Sequence, residues 1–121
     1  MNPKQIGIYG EELACIYLNR IGFSIYSRNF RTKFGEIDIV AVDVSGILVI
    51  IEVKTLRSIY GSIFLPEDNF TTQKHRHVNR MAEYFIAKHP DLIFDIGWRI
   101  DLIAIEIMED KKIKLRHYKN I

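Results

Sequence analysis

The chain has 121 residues, with 17 Lys or Arg against 15 Asp or Glu and a formal net charge of +2. This length is typical of one compact domain, so a single domain spanning residues 1–121 is expected. The hydrophobic share of 48% and the charged share of 26% are typical of globular proteins, which excludes a disordered or fibrous chain.

No apolar stretch approaches the ~20 residues that a membrane-spanning helix needs. A secretory signal peptide is not expected, because Glu11 and Glu12 fall where its apolar centre would lie. The single cysteine, Cys15, excludes an intrachain disulfide and a cysteine-based zinc site, and its apolar neighbours favour burial over nucleophilic reactivity. The sequence therefore predicts a cytoplasmic protein without a membrane segment, and it leaves a homodimer open.

An apolar run over residues 6–21 predicts the first helix, which ends before Gly22, a residue type favoured after the last helical turn. On a helical wheel Glu12 lies in a narrow solvent stripe, and Ile21 lies on the opposite, apolar side. Glu11 falls on the flank between these two sides. We therefore expect Glu12 in water and Glu11 partly buried.

Five segments rich in Ile, Val and aromatic residues are predicted strands: residues 23–30, 36–43, 47–55, 98–108 and 113–118. Residues 57–70 are expected to form a loop, followed by a helix that begins at Thr71 or Thr72 and ends before Pro90. A helix between the third and fourth strands favours a parallel pair, with antiparallel pairing among the first three. The predicted fold class is α/β, a mixed five-stranded sheet flanked by helices in the order αβββαββ.

Charged residues interrupt two of the predicted apolar strands at Asp38, Glu52 and Lys54. Burying an ionised carboxylate is costly unless it is paired or binds a metal. Glu52 and Lys54 project from the same face, because side chains repeat with period two along a strand. A register slipped by one residue would turn Asp38 to the other face, so the cluster depends on the hairpin turn.

The turn over residues 44–46 is predicted to be a three-residue hairpin loop with Gly46 in the left-handed position. If Asp43 pairs with Ile47 across it, Asp38 lies opposite Glu52. The same register places Glu36 opposite Lys54 on that face.

Two carboxylates facing each other at about 5 Å repel, which raises one pKa unless a cation lies between them. Mg²⁺ or Mn²⁺ suits such hard oxygen ligands and keeps coordination positions open for water and phosphate. The alternative is a cross-strand ion pair among Asp38, Glu52 and Lys54 with a purely structural role. The residues alone leave both interpretations open.

Four basic residues at strand ends near the hairpin are candidate phosphate ligands in loops: Arg28, Arg31, Lys33 and Arg57. Lys74, beside the apolar stripe of the second helix, is a further candidate for the site. Arg76, His77 and Arg80 are expected on the opposite side, as a solvated face or as weak phosphate contacts. The net charge of +2 permits a local basic patch without demanding one.

Short motifs follow one another along the chain: Gly10-Glu11-x-x-Ala14, Asn29-Phe30-Arg31, Gly35-Glu36-Ile37-Asp38, Glu52-Val53-Lys54-Thr55, Lys74 and Arg99-x-Asp101. Over roughly residues 7–105 they resemble the YraN-type family of uncharacterised bacterial endonuclease-like proteins. That family looks like a minimal member of the PD-(D/E)xK nuclease superfamily, with the restriction-endonuclease-like fold. Its nearest analogues include archaeal Holliday junction resolvases.

The resemblance implies metal ligation by Asp38 and Glu52 and catalysis by Lys54. It further implies an acidic helper role for Glu11 and an accessory role for Lys74. As a nuclease site, the cluster would use Mg²⁺ or Mn²⁺, with the Val53 backbone carbonyl as a further ligand and Glu11 acting through a bound water. For Glu11 the alternative is a surface charge near a helix N-terminus.

The chain departs from the family pattern at two positions. A basic residue usually follows two positions after the catalytic lysine, whereas here Leu56 occupies that position and Arg57 comes one later. This shift puts the role of Arg57 in question. Ile100 replaces a usual Phe, a change expected to affect packing alone.

Phosphodiester hydrolysis needs a positioned water, a metal and a cation near the developing oxyanion. Lys54 would orient the water or stabilise the transition state. We therefore expect a metal-dependent nuclease that hydrolyses DNA by recognising structure rather than sequence, with branched or flapped DNA among its substrates. The alternative is a catalytically weak or inactive nucleic-acid-binding module of the same fold. A purely structural adaptor would leave the strand carboxylates unexplained.

Overall fold

The computed structural model describes residues 1–59, 63–92 and 97–121. The described residues form two α-helices and five β-strands: α1 (Pro3–Arg20), β1 (Ser24–Thr32), β2 (Gly35–Val42), β3 (Leu48–Arg57), α2 (Thr72–Lys88), β4 (Trp98–Ile107) and β5 (Ile113–Tyr118). Short 3-10 turns cover Pro66–Asn69 and Pro90–Leu92. Residues 60–62 of the predicted loop lie outside the described residues. The predicted order αβββαββ is confirmed.

The five strands form one sheet in the order β1-β2-β3-β4-β5. β3 and β4 are parallel, from Leu48 opposite Trp98 to Arg57 opposite Ile107, and the other neighbouring strands are antiparallel. Because α2 lies between β3 and β4 in the chain, it forms the crossover that a parallel pair requires. The predicted mixed sheet is therefore confirmed.

Both faces of the sheet are covered, which explains why its central strands are apolar on both sides. α1 packs on one face through Ala14 and Leu18, both fully buried against a cluster that includes Ile51. α2 packs on the other face through Phe85, in a cluster that includes Ile50. Neither helix of the described chain is long and apolar enough to cross a membrane.

Helix α1 begins three residues earlier than the apolar pattern predicts. The Asn2 side chain accepts a hydrogen bond from the Gln5 amide at 2.8 Å, and the Gln5 side chain accepts one from the Asn2 amide at 2.9 Å. This capping box, with Pro3 in the first turn, starts the helix from polar residues. At the other end Ile21 is the C-cap and is 37% exposed, so its predicted place on the buried side is wrong because the helix has already ended.

Candidate metal and catalytic site

The hairpin between β2 and β3 has the predicted turn. The Asp43 amide donates to the Ile47 carbonyl at 2.9 Å, and Gly46 has a φ of 88°, the left-handed value expected there. The Asp43 carboxylate accepts hydrogen bonds from two backbone amides in and after the loop, at 2.8 and 3.0 Å. Ile39 consequently pairs with Ile51, so the predicted register is confirmed.

The ladder between β2 and β3 ends at that pair, one position before Asp38 and Glu52. In a continued antiparallel ladder the Val53 amide would donate to a β2 carbonyl. It donates instead to Asp38 Oδ2, at 2.8 Å. A side-chain carboxylate therefore replaces a ladder acceptor at the point where the two strands part.

Glu36 forms its ion pair outside the β2–β3 ladder, although its charge adds to the effect of burial on the pKa values of Asp38 and Glu11. Glu36 Oε1 is 3.0 Å from an Arg31 nitrogen across the β1–β2 pair. The predicted position of Glu36 opposite Lys54 is wrong, because β2 no longer pairs with β3 at this level. The two side chains of the Arg31–Glu36 pair are largely exposed, so this pair contributes little to stability.

Asp38, Glu52 and Lys54 come together as a cluster. The Asp38 and Glu52 carboxylates lie close enough to influence each other's pKa, and Lys54 Nζ is 3.4 Å from Glu52 Oε1. The Glu52 side chain is only 12% exposed and that of Lys54 19%. Burial, followed by the charge of Asp38, raises the pKa of Glu52 to about 7. Burial also raises the pKa of Asp38, and the Val53 amide partly opposes this rise.

Glu11 approaches the cluster from α1. A Cβ on Gly10 would overlap the Thr55 side chain, so glycine is what allows α1 to lie this close to β3. Within the described structure, Glu11 Oε1 is buried and has no hydrogen-bond partner. Burial and then the charge of Asp38 raise the pKa of Glu11 to about 7. A buried polar atom without a partner costs roughly 1–3 kcal/mol, which a proton or a cation would relieve.

The donors in this region are carboxylate oxygens, the ligands that Mg²⁺ and Mn²⁺ prefer. Across residues 1–59, 63–92 and 97–121, no three His, Cys, Asp or Glu side chains are grouped closely enough to complete a metal-ligand set. Two carboxylates in contact and one buried oxygen without a partner, on Glu11, nevertheless fit an ion that retains several waters. The residues present are therefore compatible with a magnesium or manganese ion.

Lys74 is exposed and, within the described chain, forms no ion pair or hydrogen bond with the carboxylates. It lines a groove of about 540 Å³ together with Arg76, His77 and Arg80. The predicted separation of Lys74 from those three residues is wrong. The wheel positions of Lys74 and His77 are neighbours, and long basic side chains can extend into one groove from adjacent turns.

The predicted phosphate ligands around the hairpin occupy different surroundings. Arg28 and Arg31 lie within β1, because that strand continues to Thr32, and the prediction that they lie in loops is wrong. The charge of Arg28 lowers the pKa of Glu11, against the larger effects of burial and Asp38. Arg57 is the exposed last residue of β3.

The sequence reasoning gave no role to a second buried polar network. Asp101 is fully buried and accepts hydrogen bonds from Arg99 Nε at 3.0 Å, His117 Nε2 at 2.7 Å and the Asn120 amide at 2.9 Å. The Tyr17 hydroxyl and His117 Nδ1 are 2.8 Å apart, which links α1 to β5. The sequence signals of this network are the Arg99-x-Asp101 motif and an aspartate in an apolar strand, the kind of signal that also identified Asp38.

Comparison with known proteins gives the family. The profile of the uncharacterised protein family UPF0102 matches residues 10–105. A UPF0102 protein of Caldicellulosiruptor saccharolyticus is 43% identical over 89 residues, covering 73% of this chain and 72% of that protein. A UPF0102 protein of Desulforamulus reducens is 34% identical over 119 residues, with coverage of 97% and 94%. A third, of Geobacter sulfurreducens, is 38% identical over 118 residues, with coverage of 97% and 88%. The chain therefore belongs to the uncharacterised protein family UPF0102.

Proposed function

We propose that this protein is a metal-dependent nuclease that hydrolyses DNA phosphodiester bonds and selects its substrate by structure. The observation that carries the proposal is the cluster of Asp38, Glu52 and Lys54 at the point where β2 and β3 part, with the partnerless Glu11 oxygen nearby. The resemblance of the chain to PD-(D/E)xK nucleases supports the same chemistry.

The balance of charge favours a binding site over a structural ion pair. The charge of Asp38 acts on Glu11 and on Glu52. Arg28 is the cation that acts on Glu11, and Lys54 is the ammonium group in contact with Glu52. A structural pair needs one carboxylate for each ammonium, whereas here carboxylates outnumber it. Burial is the largest cause of the raised pKa values of these carboxylates, and the charge of Asp38 adds to it at Glu11 and Glu52. A divalent cation would favour their ionised forms.

Each residue has a distinct role in the proposed reaction. Asp38 and Glu52 would hold Mg²⁺ or Mn²⁺, with the Val53 carbonyl and a water held by Glu11 completing the shell. When bound, the ion lowers the pKa of a water molecule and stabilises charge on the scissile phosphate. Lys54, positioned by its contact with Glu52, orients the attacking water or stabilises the developing oxyanion.

The experiment is incubation of the purified protein with Mg²⁺ or Mn²⁺ and a panel of linear, branched and flapped DNA. We expect metal-dependent cleavage of branched or flapped DNA and little cleavage of the linear duplex. The chain offers a matched control on α1, where Glu11 is partly buried near the cluster and its neighbour Glu12 is exposed. Glu11→Gln should lower cleavage, and Glu12→Gln should leave it unchanged.

A second function, a nucleic-acid-binding module without catalysis, is favoured by one observation. In the part of the chain that is described, the acidic side chains do not form a complete three-residue ligand set. Binding of DNA with no cleavage in either metal, and no metal uptake by calorimetry with Mn²⁺, would replace the nuclease proposal with this one.

A further inference from the structure

Helix α2 is strongly basic on one side. It carries four Lys or Arg residues and one acidic residue, Glu83. Lys74, Arg76 and Arg80 line the groove described above, and none of them forms an ion pair with any residue that the structure describes. Among the described residues, therefore, no carboxylate lies within ion-pair distance of these three side chains. By contrast, Arg116 on β5 is fully engaged by two carboxylates.

The turn between β1 and β2 extends this basic surface. A Cβ on Gly35, the first residue of β2, would lie 3.2 Å from His77 Nε2, so α2 packs directly against the turn. Lys33 Nζ is 6.0 Å from the centre of the Tyr84 ring, and Lys88 Nζ is 5.5 Å from it. These cation–π contacts hold both ammonium groups beside α2.

Together these residues form a surface that we call the α2 track: Lys33, Lys74, Arg76, His77, Arg80 and Lys88. We infer that the α2 track binds the phosphate backbone of one strand of a DNA duplex. A helix rises ~1.5 Å per residue, so Lys74 and Lys88 lie about 21 Å apart along the axis. Over that length of axis one strand of B-DNA carries about six phosphates, at ~3.4 Å each, and because the strand winds around the duplex only some of them can face a straight helix.

The Tyr84 ring beside the track favours a duplex over a single strand as the ligand. Proteins that bind single strands stack the bases on exposed aromatic rings. Here the Tyr84 ring is half-buried, lies under two ammonium groups and contacts the Phe34 ring edge-on, with 6.3 Å between the ring centres. The ring holds Lys33 and Lys88 in place, and its face is not available for stacking with a base. The track therefore contacts the phosphates of a strand whose bases are paired with the complementary strand.

The track leads toward the carboxylate cluster. Gly35, which packs against His77, precedes Asp38 by three residues in β2, a distance of about 10 Å along a strand. A duplex arm on the track would place its end or branch point beside Asp38 and Glu52. The inference rests on the proposed function for the identity of the ligand, and it specifies the substrate as DNA with a duplex arm next to a branch or an end.

The test measures binding without cleavage. Fluorescence anisotropy in EDTA compares a labelled duplex with a single strand of equal length over a range of salt concentrations. The variant Arg76→Gln/Arg80→Gln removes two track charges, and Lys114→Gln/Lys119→Gln removes two exposed charges from β5 and the residues after it. The first variant should reduce the slope of log K against log salt by about 1.8 for the duplex, at ~0.9 per phosphate contact. The second should leave the slope unchanged.

Two results would overturn the inference. One is an equal change in slope for both variants, which would mean that net charge alone drives binding. The other is tighter binding of the single strand than of the duplex by the wild type. Because the assay contains no metal, an inactive protein that still shows the expected slopes would retain the track while the nuclease proposal fails. Melting temperatures equal to that of the wild type would confirm that both variants are folded.

Discussion

Two apolar strands of the sheet contain an aspartate, fully buried at Asp101 and half-buried at Asp38, and the two differ in their hydrogen-bond partners. Asp101 in β4 has the donors of Arg99, His117 and the Asn120 amide. Although burial opposes ionisation, these bonds hold the pKa of Asp101 below its usual value. Asp38 has the Val53 amide as a donor but another carboxylate as a neighbour, and burial raises its pKa.

The difference shows when a buried charge indicates function. Around Asp101 the hydrogen-bond donors match the acceptors, so every polar group there has a partner. The charge then serves to hold secondary structure elements together. Where acceptors exceed donors, as around Asp38 and Glu52, the fold keeps an unfavourable arrangement that a ligand would relieve. The first network is expected to stabilise the protein, and the second to serve a site.

The largest expected effect is the loss of folding stability when the Asp101 network is broken. Asp101→Ala should destabilise the protein by roughly 3–5 kcal/mol, because it removes the acceptor of His117 and of the Asn120 amide and leaves Arg99 with Asp43 alone. Urea denaturation followed by circular dichroism measures this loss. A loss below about 1 kcal/mol would contradict the view that this network joins α1, β4 and β5.

The second effect separates catalysis from binding. Lys54→Ala should lower DNA cleavage by ~10²-fold or more while metal binding and DNA binding stay near those of the wild type. Glu52→Gln should weaken metal binding as well as cleavage, because it removes a ligand charge. Calorimetry with Mn²⁺ alongside cleavage rates gives both readouts. Equal loss of metal binding in the two variants would contradict the separate roles.

The third effect is on the stability of the metal-free protein. Glu52→Gln should be neutral or stabilising, by up to about 1 kcal/mol, because it removes one charge from a repulsive pair. Glu12→Gln, at an exposed position on α1, is the matched control and should change stability by less than about 0.5 kcal/mol. Thermal melting in EDTA measures both. A loss of about 3 kcal/mol or more in Glu52→Gln would favour a structural ion pair with Lys54.

The smallest expected effect concerns Glu67, a second carboxylate that, like Asp101, accepts several hydrogen bonds. Arg116 donates two hydrogen bonds to it at 2.6 and 2.7 Å, and Tyr118 donates one at 2.6 Å. The Arg116 bond, opposed by burial and assisted by Tyr118, lowers the pKa of Glu67 to about 2. The resulting stability is fully present above pH 4.5, the ordinary pKa, and is lost as the pH falls toward 2.

Stability measured from pH 5 to pH 2 tests this dependence. Wild type should lose roughly 1 kcal/mol more over this range than Glu67→Gln, which cannot titrate at that position. Glu12→Gln, which removes an exposed carboxylate on α1, should keep the wild-type dependence. Identical pH profiles for wild type and Glu67→Gln would contradict the lowered pKa.

Local features of the sequence were sufficient for the order of elements and for the centre of the candidate site. Gly46 allows the tight turn, the turn sets the register, and period-two alternation puts Glu52 and Lys54 on one face. Each of these rules acts over a few residues, so each can be read from neighbours in the chain. The roles of the site residues, the metal and the DNA substrate remain predictions.

Tertiary structure decided what those local rules could not. The β2–β3 ladder ends at Ile39, so Asp38 does not form a regular backbone pair with Glu52. Its carboxylate accepts a hydrogen bond from the Val53 amide instead. The burial of Glu11 depends on how closely α1 packs on β3. The α2 track includes a residue of the β1–β2 turn, which lies some 40 residues before Arg76 in the chain. Tyr17 meets His117 across 100 positions. Such contacts follow from the packing of whole elements, which the periodicity of a single segment does not encode.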